Sequence, residues 1–121
     1  VTVRVELGPR EVQALALAGF IRVALPTPVW LPDGNLATSL LVGRVQGEVC
    51  AYANVCRHQP VPLDVDDLQV LAPDGLHLLC RWHGALYRAT DGSCVEGPCH
   101  GQALFRAKVF ALAEHGIALE L

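Results

Sequence analysis

A chain of 121 residues with 52% hydrophobic and 17% charged residues has the apolar content for one folded domain, which excludes a disordered tail. The net charge of −3, with nine Lys+Arg and no basic run, argues against nucleic acid as a partner. The most apolar early stretch, "VQALALAGFIRVALP", is broken by Arg22 and falls short of the roughly 20 residues of a membrane span. "VTVRVELGPRE" lacks a signal-peptide core, so the cytoplasm is the expected location.

In chain order, "VTVRVEL" alternates as a strand does, with Val1, Val3, Val5 and Leu7 on one face. "PREVQALALAG" predicts a short helix, with Pro9 at the first position and Gly19 as the stop. "FIRVALP" reads as strand and "PDG" at 32–34 as a turn. "TSLLVGRVQGEVCAYANVC" predicts a hairpin turning at Gln46-Gly47 and running into Cys56. A second hairpin is expected in "QVLAPDGLHLLC", whose return strand delivers Cys80, and a looser third in "GALYRATDGSCVEGP". Two strands around "EHG" at 114–116 close the chain. The expected architecture is all-β and antiparallel, a small sandwich or barrel spanning 1–121.

Five cysteines without a secretory signal read as thiols and metal ligands rather than as a disulfide framework. Cys50 lies in an apolar strand-like run, where cysteine is a small buried hydrophobe. Cys94 and Cys99 flank "VEGP" and are candidates for proximity in space.

The remaining two cysteines each accompany a histidine. "CRH" holds Cys56 and His58; the 21 residues 59–79 follow; then "CRWH" holds Cys80 and His83. A lone Cys-x-x-His suits zinc, an iron–sulfur centre, a nucleophile beside a base, or no site at all. Two thiolates with two imidazoles suit tetrahedral zinc or an iron–sulfur cluster. A mixed-ligand cluster of two irons puts two cysteines on one iron and two histidines on the other. Loops that each offer one Cys and one His match that division, whereas a zinc finger usually takes both cysteines from one knuckle. Gly84, directly after His83, permits close approach of backbone to a cluster, and Gly97-Pro98 is a second loop of that kind.

"CRH…CRWHGALY…DGSCVEGP" resembles the Rieske family of [2Fe–2S] proteins over about residues 38–100. The resemblance implies one [2Fe–2S] cluster per chain in a small cluster-binding subdomain, approximately 54–100. It puts Cys56 and Cys80 on the inner iron, His58 and His83 on the outer, and Gly97-Pro98 over the cluster. Three departures separate the chain from the respiratory branch of that family. The extra cysteine of each ligand loop is missing, Ala85 replaces a serine that bonds a bridging sulfide, and the gap between motifs is a few residues longer. The likeness is therefore to soluble Rieske-type ferredoxins and to nitrite-reductase small subunits. Tyr87 matches a tyrosine that donates to a cysteine ligand in the respiratory branch. With Ala85 unable to donate, a potential in the lower half of the roughly −150 to +300 mV Rieske range is expected.

These features predict an electron carrier, not an enzyme. Oxygenase chemistry needs a further mononuclear iron, and His77, His100 and His115 each stand alone in sequence. The expected partners are a flavin or iron reductase and an oxygenase, or alternatively a nitrite-reductase-like enzyme. Arg57, Arg81 and Arg88, with Trp82 as apolar contact area, are candidates for the docking face; the bland alternative pairs these arginines with Asp64, Asp66 and Asp67. Two rivals remain: a structural zinc module, which predicts a colourless protein, and a cluster-less regulatory subunit, which the four filled ligand positions disfavour.

Overall fold

The structure, a computed structural model, describes residues 2–57, 59–64, 69–82 and 84–121, the side chains of 16–18 apart. Strand β1 (Arg4–Leu7) leads to helix α1 (Pro9–Ala18), then to β2 (Ile21–Trp30), β3 (Leu36–Val45) and β4 (Glu48–Ala53). Three short strands follow, β5 (His77–Leu79), β6 (Leu86–Arg88) and β7 (Cys94–Glu96). The chain ends on β8 (Lys108–Ala111), a 3₁₀ turn (Ala113–His115) and β9 (Ile117–Glu120). Among the described residues these strands make three antiparallel sheets, ordered β1-β9-β8, β2-β3-β4 and β5-β6-β7. The antiparallel β expectation holds, with one helix where the Pro9 and Gly19 signals put it.

The β3–β4 hairpin turns at Gln46 (φ 52°) and Gly47 (φ 81°). Two successive positive φ values match the right-handed twist of the strands they join, which is why Gly is useful there. Side chains on these strands alternate between two cores. Leu41, Val45, Cys50 and Tyr52 face one; Leu40, Val42, Ala51 and Ala53 face the other. A strand buried on both faces must be apolar at successive positions, which explains the unbroken "LLV". The first core also holds Cys56, Cys80 and Tyr87, and the second holds α1, through Val12 and Leu15, with β1 and β9.

Residues 102–107 stitch the sheets together. Ala53 N–H donates to Phe105 O at 2.8 Å and Ala107 N–H to Ala51 O at 2.9 Å, extending the β4 edge. Cys94 N–H bonds Gln102 O at 2.8 Å and Leu104 N–H bonds Gly92 O at 2.9 Å. The third sheet is thereby anchored to the second.

Three expectations are refined. Val1 lies outside the described residues, and the first strand begins at Arg4. The strand from Ile21 runs on through Pro26 and Pro28 to Trp30, shifting register between Ala24 and Val29. It is an edge strand, where a missing N–H is tolerated. In "QVLAPDGLHLLC" only the return limb is a regular strand; the outgoing limb contributes a single bridge, Leu71 to Leu78.

No described helix is long and apolar enough to cross a membrane. Packing against β3 is tight at Gly43, where an added Cβ would lie 2.5 Å from the buried ring of Phe20, the residue before β2. That ring stacks on Tyr52, with centroids 6.4 Å apart, and has little room to retreat. Gly43→Ala is expected to lower stability by about 1–3 kcal/mol through overpacking, measured as a fall in the urea midpoint at unchanged slope.

Candidate metal centre

Cys56 and Cys80 stand at the bases of two turns. The first turn leaves β4 and is closed by Cys56 N–H on Val61 O at 2.8 Å. The second joins β5 to β6. Cys80 N–H donates to Ala85 O at 2.9 Å and Gly84 N–H to Cys80 O at 3.0 Å. Gly84 has φ 71°, a left-handed angle that an L side chain rarely adopts. Arg81 N–H donates to Leu63 O at 2.9 Å, which fastens the two turns to each other.

Burial divides each turn into base and tip. Cys56 is 1% exposed and Cys80 0%, whereas Gln59, Pro60, Arg81, Trp82 and Gly84 are exposed. His58 and His83, the other two expected ligands, lie outside the described residues. Among the described residues no group of three or more His, Cys, Asp or Glu is arranged around a metal ion.

Tyr87 is fully buried on β6, and its hydroxyl oxygen lies 3.3 Å from Cys56 Sγ. It accepts the N–H of Arg57 at 3.0 Å and a contact from Cys99 Sγ at 3.2 Å. Burial, then the bond to Cys56, holds the phenol protonated far above its usual range. A proton-bearing phenol beside Cys56 is a donor to that sulfur once the sulfur is a metal-bound thiolate. This is the tyrosine role expected from the sequence. The donor set fits an iron–sulfur group: two sulfurs shielded from water, one with a hydrogen bond aimed at it.

Gly97-Pro98 packs on the second turn. At Gly97 (φ 105°) an added Cβ would lie 3.0 Å from Ala85 Cα. The loop lies against the Cys80 turn.

A buried polar cluster under the first turn went unseen in the sequence. The Asn54 side-chain amide donates to Asp64 Oδ1 at 2.8 Å and to Ser39 Oγ at 3.1 Å, while its oxygen accepts Leu63 N–H at 2.9 Å. Asp64 accepts Arg22 Nε at 2.8 Å. These contacts hold both ends of residues 54–64 to β2 and β3. Neither "YANVC" nor "PLDV" signals the pairing, because the partners are 10 and 42 residues apart.

The docking arginines separate. Arg57 turns inward, its Nη1 on Ala103 O at 2.7 Å and its guanidinium 4.4 Å from the Phe105 ring centre. Its Nε is buried with no hydrogen-bond partner and lies 3.7 Å from Asp33. Arg88 pairs with Asp91 at 2.8 Å. Asp64 pairs with Arg22 and not with Arg57, Arg81 or Arg88; Asp66 and Asp67 lie outside the described residues. Arg81 and Trp82, the latter 55% exposed, remain on the surface beside Cys80. His77 is held by Asp74 at 2.6 Å, and His100 and His115 are exposed. A shallow groove of about 790 Å³ is lined by Glu48, Arg106, Lys108 and Phe110, away from the motifs.

Two buried thiols, Cys56 and Cys80, stand at the bases of two turns fastened to each other. Residues 31–113 match the family model described as Rieske [2Fe-2S] domain, and the chain belongs to that family, whose cofactor is a [2Fe–2S] cluster. No curated protein sequence matches the chain. Among solved structures, the ferredoxin of carbazole 1,9a-dioxygenase from Nocardioides aromaticivorans IC177 superposes with a TM-score of 0.67 at 19% identity, covering 97% of this chain and 96% of that one. A fluorene-bound oxygenase and ferredoxin complex of carbazole 1,9a-dioxygenase gives 0.69 at 18% identity, covering 97% of this chain but 28% of the other. The terminal oxygenase of carbazole 1,9a-dioxygenase from Novosphingobium sp. KA1 gives 0.67 at 22%, covering 97% and 29%. The chain therefore spans under a third of the oxygenase-sized matches and nearly all of the ferredoxin. At these identities the likeness establishes the fold.

Proposed function

We propose that this protein is a one-electron carrier that takes electrons from a flavin- or iron-dependent reductase and delivers them to a terminal oxygenase. The observation that carries the reading is the pair of water-shielded thiols, Cys56 and Cys80, in turns whose tips reach the surface. Cys56, His58, Cys80 and His83 are the proposed ligands of one cluster per chain, within a single domain 1–121 whose cluster-binding part is about 54–100. The cluster supplies reversible one-electron storage when bound. The chain's own groups do the rest. The apolar core around Cys56 and Cys80 excludes water, Tyr87 donates to Cys56, and Arg81 and Trp82 offer a cationic and apolar surface to a partner. The cytoplasm is the proposed location, where thiols are kept reduced and available as ligands.

The ferredoxin match, end to end, favours an oxygenase as the acceptor. A nitrite-reductase-like acceptor is separated from it by assay. Anaerobically purified protein is expected to be reddish-brown, to contain about two irons and two acid-labile sulfides per chain, and to take up one electron in a coulometric titration. Reduced protein is expected to be reoxidised by a terminal oxygenase, more slowly at high salt and in Arg81→Ala. Stoichiometric zinc in a colourless protein would end the reading. Reoxidation by a sirohaem reductase alone would reassign the acceptor.

A further inference from the structure

Cys94 on β7 and Cys99 in the turn after it have no part in the proposed ligand set, yet their sulfurs are 2.7 Å apart. Carbon atoms in contact rest at about 3.5–4.0 Å, and sulfur is larger, so this pair is closer than two unbonded thiols settle. Both are buried, at 4% and 2% exposure. Cys94 Sγ has Glu96 O at 3.3 Å as acceptor for its proton. Cys99 Sγ has Tyr87 Oη at 3.2 Å, and Tyr87 in turn reaches Cys56 Sγ at 3.3 Å. A line of contacts therefore runs from the thiol pair to a proposed cluster ligand.

We propose that Cys94 and Cys99 are a redox-active pair that closes to an intrachain disulfide, and that its state tunes the hydrogen bond from Tyr87 to Cys56. The oxidant is a low-molecular-mass disulfide. The two thiols become one S–S bond, the two electrons break the S–S bond of the oxidant, and both thiol protons leave on the two small thiols released. Entry is through Cys99, because its neighbours Pro98 and His100 are exposed. Burial, then the contact with Cys99, holds the Cys94 thiol protonated, so exchange is slow and is followed over hours.

The coupling to Tyr87 follows from counting protons. The phenol oxygen accepts from Arg57 N–H and, when the one Cys99 thiol proton is turned to it rather than to Cys94 Sγ, from Cys99 S–H, which leaves its own proton for Cys56. A donor into the phenol oxygen polarises the O–H and strengthens the bond it gives. Disulfide formation removes the Cys99 proton. The bond to Cys56 then weakens, and so does the stabilisation of the more negative reduced centre. The midpoint potential falls.

This second half rests on Cys56 being a cluster ligand; the first half does not. The test equilibrates cluster-loaded protein anaerobically in glutathione buffers of graded redox state, then quenches with acid, alkylates under denaturing conditions and digests. Trypsin and a glutamate-specific protease cut after Arg88, Glu96 and Arg106, placing Cys94 and Cys99 on separate peptides. The expected result is a linked 89–96/97–106 pair that grows with the oxidised fraction and reverses. The potential is expected to shift down as the link forms. In Cys94→Ser it should stay at the reduced wild-type value, and in Cys99→Ala at a lower one, in any buffer. Tyr87→Phe should lower it and abolish its response to the thiol state. Separate alkylated peptides in the most oxidising buffer, or a link that survives the most reducing one, would overturn the redox pair. A link that forms without moving the potential would overturn the tuning. A colourless protein would defeat the electron-carrier reading while the peptide map still decided the pair.

Discussion

Alanine at Cys80 abolishes the visible absorbance and leaves the protein without stoichiometric iron; that is the expected outcome, and Cys56→Ala gives the same. Each substitution removes a fully buried sulfur from the base of a turn. Cys50 is the control, being equally buried but on the strand β4, with 3.9 Å contacts to Glu48 O and Thr90 O. Burial raises its thiol pKa, as befits a neutral hydrophobe. Cys50→Ala is expected to retain iron, sulfide and spectrum, at a stability loss of about 1 kcal/mol. Alanine at His58 or His83 tests the other half of the proposed set and should likewise empty it. Iron retained in Cys80→Ala, or lost in Cys50→Ala, would reassign the ligands.

Asn54→Ala should have the largest effect on stability outside the ligands. It deletes a bond to the Asp64 carboxylate and leaves Leu63 N–H and part of Asp64 buried without partners. Hydrogen bonds to charged groups contribute about 1.5–3 kcal/mol, and a stranded buried group costs a similar amount. A loss of about 3 kcal/mol is expected, or about 2 M in the urea midpoint for a slope near 1.5 kcal/mol/M. Because the same contacts hold residues 54–64, the folded variant should also release iron to a chelator faster than wild type. Unchanged stability would show that the cluster is solvated in the free protein.

The legibility of the chain divides along physical lines. Alternation, turn residues and caps act over a few residues, so α1, the β3–β4 hairpin and the closing strands were readable before any coordinates. The Cys-His spacing was readable for the same reason, since it reports how a short turn presents two ligands. The resemblance to the Rieske family rested on those spacings, and the match over residues 31–113 bears it out.

What only the tertiary structure decided was which distant residues meet. Arg57 looked like a docking cation and is folded onto Phe105 and Ala103, because the 102–107 segment lies alongside β4. Asp64 looked like its partner and is claimed by Arg22 and Asn54. Cys94 and Cys99, five residues apart, flank a Gly-Pro turn, and only its course sets their sulfurs 2.7 Å from each other and beside Tyr87. Local rules name the groups; long-range packing chooses their partners, because pairing energy depends on separation in space and the sequence records only separation along the chain.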